Sequence, residues 1–447
     1  MSRVVVSIVE RNFQVTPVRP GACAPLSFCI AAALRCASVH AASYTAISNC
    51  ADDGSPGSLR AVLNGLSAAD NNAVIDVSAC STITLAQGEL AIPLSVAILG
   101  PATGTTTLDA NHAGRVIEAT GTTAATSNLT LTNLTLRGGR LLTTSGQAYG
   151  GCVLGEDLTL NGTTVTDCFA HSDTSLASGG AIAARAVHLY RSTVVGNAAD
   201  SGSAFAFGGA ITANTLTCQD SSVELSQASG QPGQGGGIAV GGAVDIARCT
   251  IASNAADYAG GIFANGANDG TGARAPLTVA DSTVSGNQAS TFDGGIFSAG
   301  PLTLRNSTVT NNYAPACAGV QANLDVQIDS SLIARNRAAP GGACNDFRAG
   351  GSVTGSHNLV GVDDGGLPPD TIIANPRLAP LANHGGPTRT HALLSGSPAL
   401  DAGSNVGNAS TDQRGDGFAR SVGLGVDIGA YERQVRDDEV FYDGYEG

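Results

Sequence analysis

The chain has 447 residues, with 59 Gly, 4% aromatics, no Trp, and Arg as its only strongly basic residue type. A compact core of this length would use more rings and Leu-rich helices. Disorder is excluded by 43% hydrophobic content with 13% charge, and the formal net charge of −14 excludes the basic surface that nucleic acid requires.

Residues 1–41 have the layout of a signal peptide. Arg3, Arg11 and Arg19 precede an apolar run from Ala24 to Leu34, and Val39-His40-Ala41 offers small residues for cleavage. Glu10 and Arg35 depart from the ideal pattern, and a start codon assigned too far upstream accounts for the long front. Cleavage after Ala41 places the mature start at Ala42 and removes Cys23, Cys29 and Cys36. The eight remaining cysteines form an even set in an exported chain, which permits disulfides. Closeness in the coil count favours Cys50–Cys80, Cys152–Cys168 and Cys317–Cys344. Cys218 and Cys249 fall at unequal offsets, so they are expected to stay unpaired. No later stretch is long and apolar enough for a transmembrane helix.

Internal repetition dominates the rest. A Gly-Gly-small-apolar element recurs at Gly150-Gly151, Gly179-Gly180, Gly208-Gly209, Gly236-Gly237, Gly260-Gly261 and Gly294-Gly295. Alternating strands follow each, such as Leu158-Thr159-Leu160 and Val187-His188-Leu189, and then a second short strand such as Ser192-Thr193-Val194. First strands begin near 129, 158, 187, 216, 244, 277, 302 and 326, in steps of about 24 to 33 residues. Such units bury their apolar side only by stacking, so the expected fold is all-β, a single-stranded right-handed parallel β-helix with a C-terminal cap.

Stacking makes side-chain columns visible. Asn197, Asn254, Asn287, Asn312 and Asn336 share one offset, where Asn suits left-handed turns and stacked amides can bond along the column. Arg191, Asp220, Arg248 and Asp281 form an alternating charge column at the bend between strands. An outward row runs Thr159, His188, Thr217, Asp245, Thr278, Thr303 and Gln327, mostly Thr, which suits a flat β surface.

Two stretches carry a resemblance. Asn49-Cys50 with Asp53-Gly54-Ser55-Pro56-Gly57-Ser58-Leu59-Arg60-Ala61 resembles the opening of bacterial secreted β-helix proteins. Gly385-Gly386-Pro387-Thr388-Arg389-Thr390-His391, Ser397-Pro398-Ala399-Leu400-Asp401-Ala402-Gly403, Asp412-Gln413-Arg414-Gly415 and Asp427-Ile428-Gly429-Ala430-Tyr431-Glu432 resemble the choice-of-anchor Q domain of β-helix repeat proteins. The resemblance implies a pectin-lyase-like fold and little about activity. It sets the organisation as signal peptide 1–41, β-helix 42–365, choice-of-anchor Q-like cap 366–432 and acidic tail 433–447. Asp401, Asp412, Arg414 and Asp427 are read as structural cap residues, since Asp in turn-like sequence accepts backbone N–H bonds. The tail from Asp438 to Glu446 is similar to short acidic-aromatic tails on exported proteins of Gram-negative bacteria.

For chemistry, His188, Tyr190 and Arg191 lie close together, and Asp220, Asp245 and Arg248 complete a weak set of catalytic candidates. No serine elbow, HExxH motif or phosphate loop is present. Asp363-Asp364 has neither EF-hand nor nonapeptide spacing, so no metal and no cofactor is expected. The resulting expectation is a secreted or cell-surface, non-catalytic protein for adhesion or glycan binding. Its expected partner is an extracellular polysaccharide or a host or cell-surface ligand, with no nucleic acid. The alternative is a polysaccharide lyase or glycoside hydrolase acting on an extracellular glycan.

Overall fold

The computed structural model describes residues 43–121, 127–266 and 273–434. The expected signal peptide at 1–41, its three cysteines and the tail from Asp438 lie outside the described residues. Contacts divide the chain between Ala41 and Ala42, and everything described belongs to the second unit.

The chain forms an all-β parallel solenoid of about 11 turns. Its stacking register follows the repeat: Leu129 pairs with Leu158, Leu158 with Val187, Val187 with Leu216, and Leu216 with Val244. The column continues through Leu277 and Leu302 to Val326, and then reaches Val353. These inward residues join one continuous core from Ile47 to Val360. Each buried Leu, Ile or Val stabilises the stack by roughly 1.5–3 kcal/mol. Strands such as Val153–Asn161 and Ile182–Tyr190 build one large sheet, and short strands such as Thr193–Val195 and Thr283–Ser285 build a second.

The bend after the first strand is left-handed in successive coils from Asn133 to His357, including Arg191, Asp220, Arg248, Asp281 and Asn306. The asparagine column stands at the next corner. Asn254 Nδ2 donates to Asn287 Oδ1 at 3.0 Å, Asn287 to Asn312 at 2.9 Å, and Asn312 to Asn336 at 2.9 Å. Ser226 replaces Asn in one coil, and Asp346 ends the column by accepting from Asn336 at 2.9 Å. The positive φ belongs to the residue before each Asn, at Gly196, Ser253, Gly286, Asn311 and Arg335, and to Leu225 before Ser226. The Asn is therefore there for its amide and not for a left-handed backbone.

Four disulfides join Cys50–Cys80, Cys152–Cys168, Cys218–Cys249 and Cys317–Cys344. The third corrects the expectation that Cys218 and Cys249 stay apart, since their Cα atoms are 6.5 Å apart. That expectation measured an offset along a straight strand, but the chain turns at Arg248, φ 53°. Cys249 thus occupies the inner corner held by Ser221 and Ser282 in adjacent coils. There it meets Cys218, which faces the core.

A second feature was not expected. Beyond the asparagine corner, several coils extend into a two-legged fin. One leg stacks Arg140–Thr143, Phe169–Ser172, Ala198–Ser201 and Gln227–Ser229, and the other stacks Ala148–Tyr149, Ala177–Ser178, Ala206–Phe207 and Gly233–Gln234. The legs enclose a core made of Ala148, Ala170, Ala177, Ala199, Ala206, Ala228 and Ala256. Only small side chains fit between legs this close. A Gly-Gly pair returns each coil to the main sheet: Gly179 has φ 66°, and a Cβ on Gly180 would lie 2.1 Å from the Gly209 carbonyl oxygen. That space admits Gly alone.

Two segments outside the coils pack on the solenoid. A short helix, Leu59–Asn64, capped by Ser58, puts Leu59 and Leu63 into the core. Residues 376–434 cover the rod from the side, along the outer face of the second sheet. Ala430 N donates to Thr308 Oγ1 at 3.0 Å, and Thr283 Oγ1 donates to Gln413 Oε1 at 2.6 Å. Thr250 Oγ1 donates to the Arg389 carbonyl at 2.6 Å. Where this segment lies, outward residues such as Thr250, Thr283, Ser285 and Thr310 are buried. Leu332 and Leu359 share a second core there with Leu378, Leu393, Ile428 and Tyr431.

Candidate functional site: an aromatic corner beside the fin

The sequence-predicted candidates divide into two groups. Asp220 and Arg248 form a bidentate pair, with Nε–Oδ1 at 2.6 Å and Nη2–Oδ2 at 2.9 Å. With Arg191 they line a cavity of about 520 Å³ where the C-terminal segment meets the bend column. The next member, Asp281, accepts from Asn306 Nδ2 at 3.1 Å. His188, Tyr190 and Asp245 stay on the main sheet. His188 pairs with Thr217, and Thr217 with Asp245, so two coil steps, about 9.6 Å, separate His188 from Asp245. No acid–base pair is assembled from them.

The C-terminal carboxylates bind backbone and Arg. Asp401 Oδ1 accepts from Gly425 N at 2.9 Å, and Asp427 accepts from Asp401 N at 2.8 Å and Arg433 N at 2.7 Å. Burial pushes the Asp427 carboxyl up. Arg414 is bonded to Asp412 at 2.6 Å and lies between the Phe418 and Tyr431 rings, 4.0 and 3.9 Å from their centroids.

The fin contributes two faces that the sequence did not reveal. On the first leg, His171 stands between two carboxylates: Nδ1 is 2.7 Å from Asp200 and Nε2 is 2.9 Å from Asp173. The hydrogen bond to Asp173 chiefly raises the His171 pKa, burial opposes it, and Asp200 adds to the rise. Arg140 lies 5.3 Å from the Phe169 ring centroid, and these groups line an open groove of about 480 Å³.

The second leg carries an aromatic row. Tyr149 pairs with Ser178, Ser178 with Phe207, Phe207 with Gln234, Gln234 with Tyr258 and Tyr258 with Phe292. Across the Gly-Gly turn, the main sheet presents Leu154, Ala183, Thr212, Ala239, Phe263 and Phe297 in register. The two rows meet at a corner formed by the Gly-Gly turn. Thr212 Oγ1 donates across it to the Phe207 carbonyl at 2.9 Å, and the outward Ser178, Ala183 and Ala239 are buried at its floor. At its wide end Tyr258 stacks with Phe292, centroids 5.5 Å apart, and Phe263 with Phe297 at 5.2 Å. Phe205 stacks beside Phe207 and is half exposed.

One carboxyl stands at this corner. Asp293 is buried, its Oδ1 has no hydrogen-bond partner, and burial pushes its pKa up to about 7 while Arg348 opposes the rise. Among the described residues no cluster of three His, Cys, Asp or Glu is arranged to hold a metal. Compared with known proteins, the chain matches no family model and no curated protein.

Proposed function

We propose that this protein is exported and binds an extracellular glycan along the aromatic corner without cleaving it, as an adhesin or surface carbohydrate-binding protein. The observation that carries this reading is the row of rings that alternates with Ser178 and Gln234 over four coil steps and ends, at the fifth, in the stacked Tyr258–Phe292 pair. Sugars present apolar C–H faces and hydroxyl edges, and such a row offers both ring surface and neutral hydrogen-bonding groups. Four disulfides fit an oxidising compartment, and no described helix is long and apolar enough to cross a membrane.

The leader at 1–41 and the resemblance to secreted β-helix proteins with a choice-of-anchor Q domain support export. The acidic-aromatic tail supports a Gram-negative source and a secreted or cell-surface location. On this reading residues 366–432 are a structural clamp, with Asp401, Asp412, Arg414 and Asp427 holding its turns.

A second reading, glycan cleavage, draws support from Asp173 and Asp200 on the other face of the fin, because hydrolases use two carboxylates. His171 fills the space between them, where a glycosidic bond and water would have to sit. Binding is therefore favoured. Screening the exported protein against a panel of extracellular glycans, reading binding and new reducing or unsaturated ends together, tests both readings. Retention without product is expected, and product formation overturns the non-catalytic assignment.

A further inference from the structure

Resting on the glycan-binding reading, we infer that the corner takes a neutral, extended, two-fold β-(1→4)-linked chain lying along the solenoid axis. The first argument is spacing. Tyr149, Phe207 and Tyr258 stand on alternate coils, with Ser178 and Gln234 between them. Coils repeat at about 4.8 Å, so rings recur at about 9.6 Å. A sugar in an extended β-(1→4) chain advances by nearly one coil, and a two-fold chain repeats after two sugars. Alternate sugars then meet a ring, the sugar between Phe207 and Tyr258 meets Gln234, and the one between Tyr149 and Phe207 passes over the floor where Ser178 is buried. A chain that coils, or that repeats after three sugars, loses this register within a few units.

The second argument is charge. The row from Tyr149 to Phe292 contains no Asp, Glu, His or Arg, and the one carboxyl beside it, Asp293, is buried. Arg115, whose Nε donates to the Tyr149 carbonyl at 3.1 Å, is engaged by Glu89 at 2.5 Å and Glu118 at 3.1 Å. Arg348 stands two coils beyond Phe297 on the opposite wall. A polyuronate laid on the row would find no free cation along it among the described residues, on a protein whose net charge is already −14. The third argument is length. From Tyr149 to Phe292 is five coil steps, about 24 Å, enough for five or six sugars.

The test uses the full exported chain and soluble oligosaccharides of two to eight units, with titration calorimetry as the readout. The probes are β-(1→4)-linked gluco- and manno-oligosaccharides, β-(1→3)-linked glucose oligomers, and α-(1→4)-linked galacturonate oligomers. The neutral β-(1→4) series should bind with affinity rising steeply up to about six units, and binding should exceed that of the other two series at least tenfold. Phe207→Ala and Tyr258→Ala should each weaken the hexamer at least tenfold. Gln234→Ala, which removes no core side chain, should weaken it several-fold with unchanged unfolding temperature. If galacturonate or β-(1→3) oligomers bind as well, with the same dependence on the rings, the two-fold neutral assignment fails while glycan binding stands. If no oligosaccharide depends on the rings, and a protein or peptide ligand does, both fail.

Discussion

Asp293 and His171 show how single residues depart from the repeat. In other coils the left-handed position at the corner is Gly150, Gly179, Gly208, Gly235 or Ala259, and only here is it a carboxylic acid, at φ 64°. Its folded pKa is about 7 against an ordinary value of 3.8. Between those values the folded chain holds a proton that the unfolded chain has lost. Stability therefore falls as pH rises, at up to about 1.4 kcal/mol per unit, and levels off above the folded value. Asp293→Asn should raise the urea midpoint at pH 8 and leave it unchanged at pH 4; equal midpoints at pH 8 would contradict the burial argument. His171 gives the same direction of pH dependence for a different reason, because its charged form is the one the fold stabilises. Its raised pKa gives stabilisation that is complete below its unfolded value and is lost as pH rises through the folded one. An NMR titration of its ring protons should give a midpoint above 6.5, moving down in Asp173→Asn. Neither residue stood out in the sequence: Asp293 reads as a turn residue before Gly-Gly, and His171 lies 29 residues from its Asp200 partner.

At the scale of elements, the asparagine column is the best place to test stacking. Asn287 donates to the Ile251 carbonyl at 3.0 Å and accepts from both Asn254 N and Asn254 Nδ2, each at 3.0 Å. Asn287→Ala leaves those buried groups unpaired and should cost about 3 kcal/mol in urea unfolding. A loss below about 1 kcal/mol would mean that the column is ornamental. This column and the strand starts were legible because an inward position recurs in every coil and must be apolar, or amide, each time. The fin was not, because its core is alanine on strands of two to four residues, which leaves no strong period to read. The aromatic row was hidden for the same reason: Tyr149 and Phe207 are two coils apart, and Ser178 separates them. The Cys218–Cys249 bond was missed because spacing counts residues along the chain, and the left-handed bend at Arg248 changes what is near in space.

On the scale of the whole molecule, the solenoid depends on a segment that runs back along its side. Motifs placed a distinct C-terminal segment in the sequence, but its path over the second sheet follows from side chains that meet across more than 100 residues. Gln413 is the centre of that contact, with Nε2 donating to Thr250 Oγ1 at 3.0 Å and the Arg389 carbonyl at 3.1 Å, while Oε1 accepts from Thr283. Gln413→Ala should speed hydrogen exchange throughout residues 376–434 while the inward strands keep their protection, as read by mass spectrometry. Unchanged exchange would mean that the segment is held by its own apolar core alone. Glycan binding is proposed for the flank beside the fin, and one measurement tests it most directly: the glycan affinity of the purified protein beside that of a Phe207→Ala, Tyr258→Ala double variant with the same unfolding temperature. A loss of one hundredfold or more is expected, and undiminished affinity would contradict the assignment of the aromatic corner as the binding site.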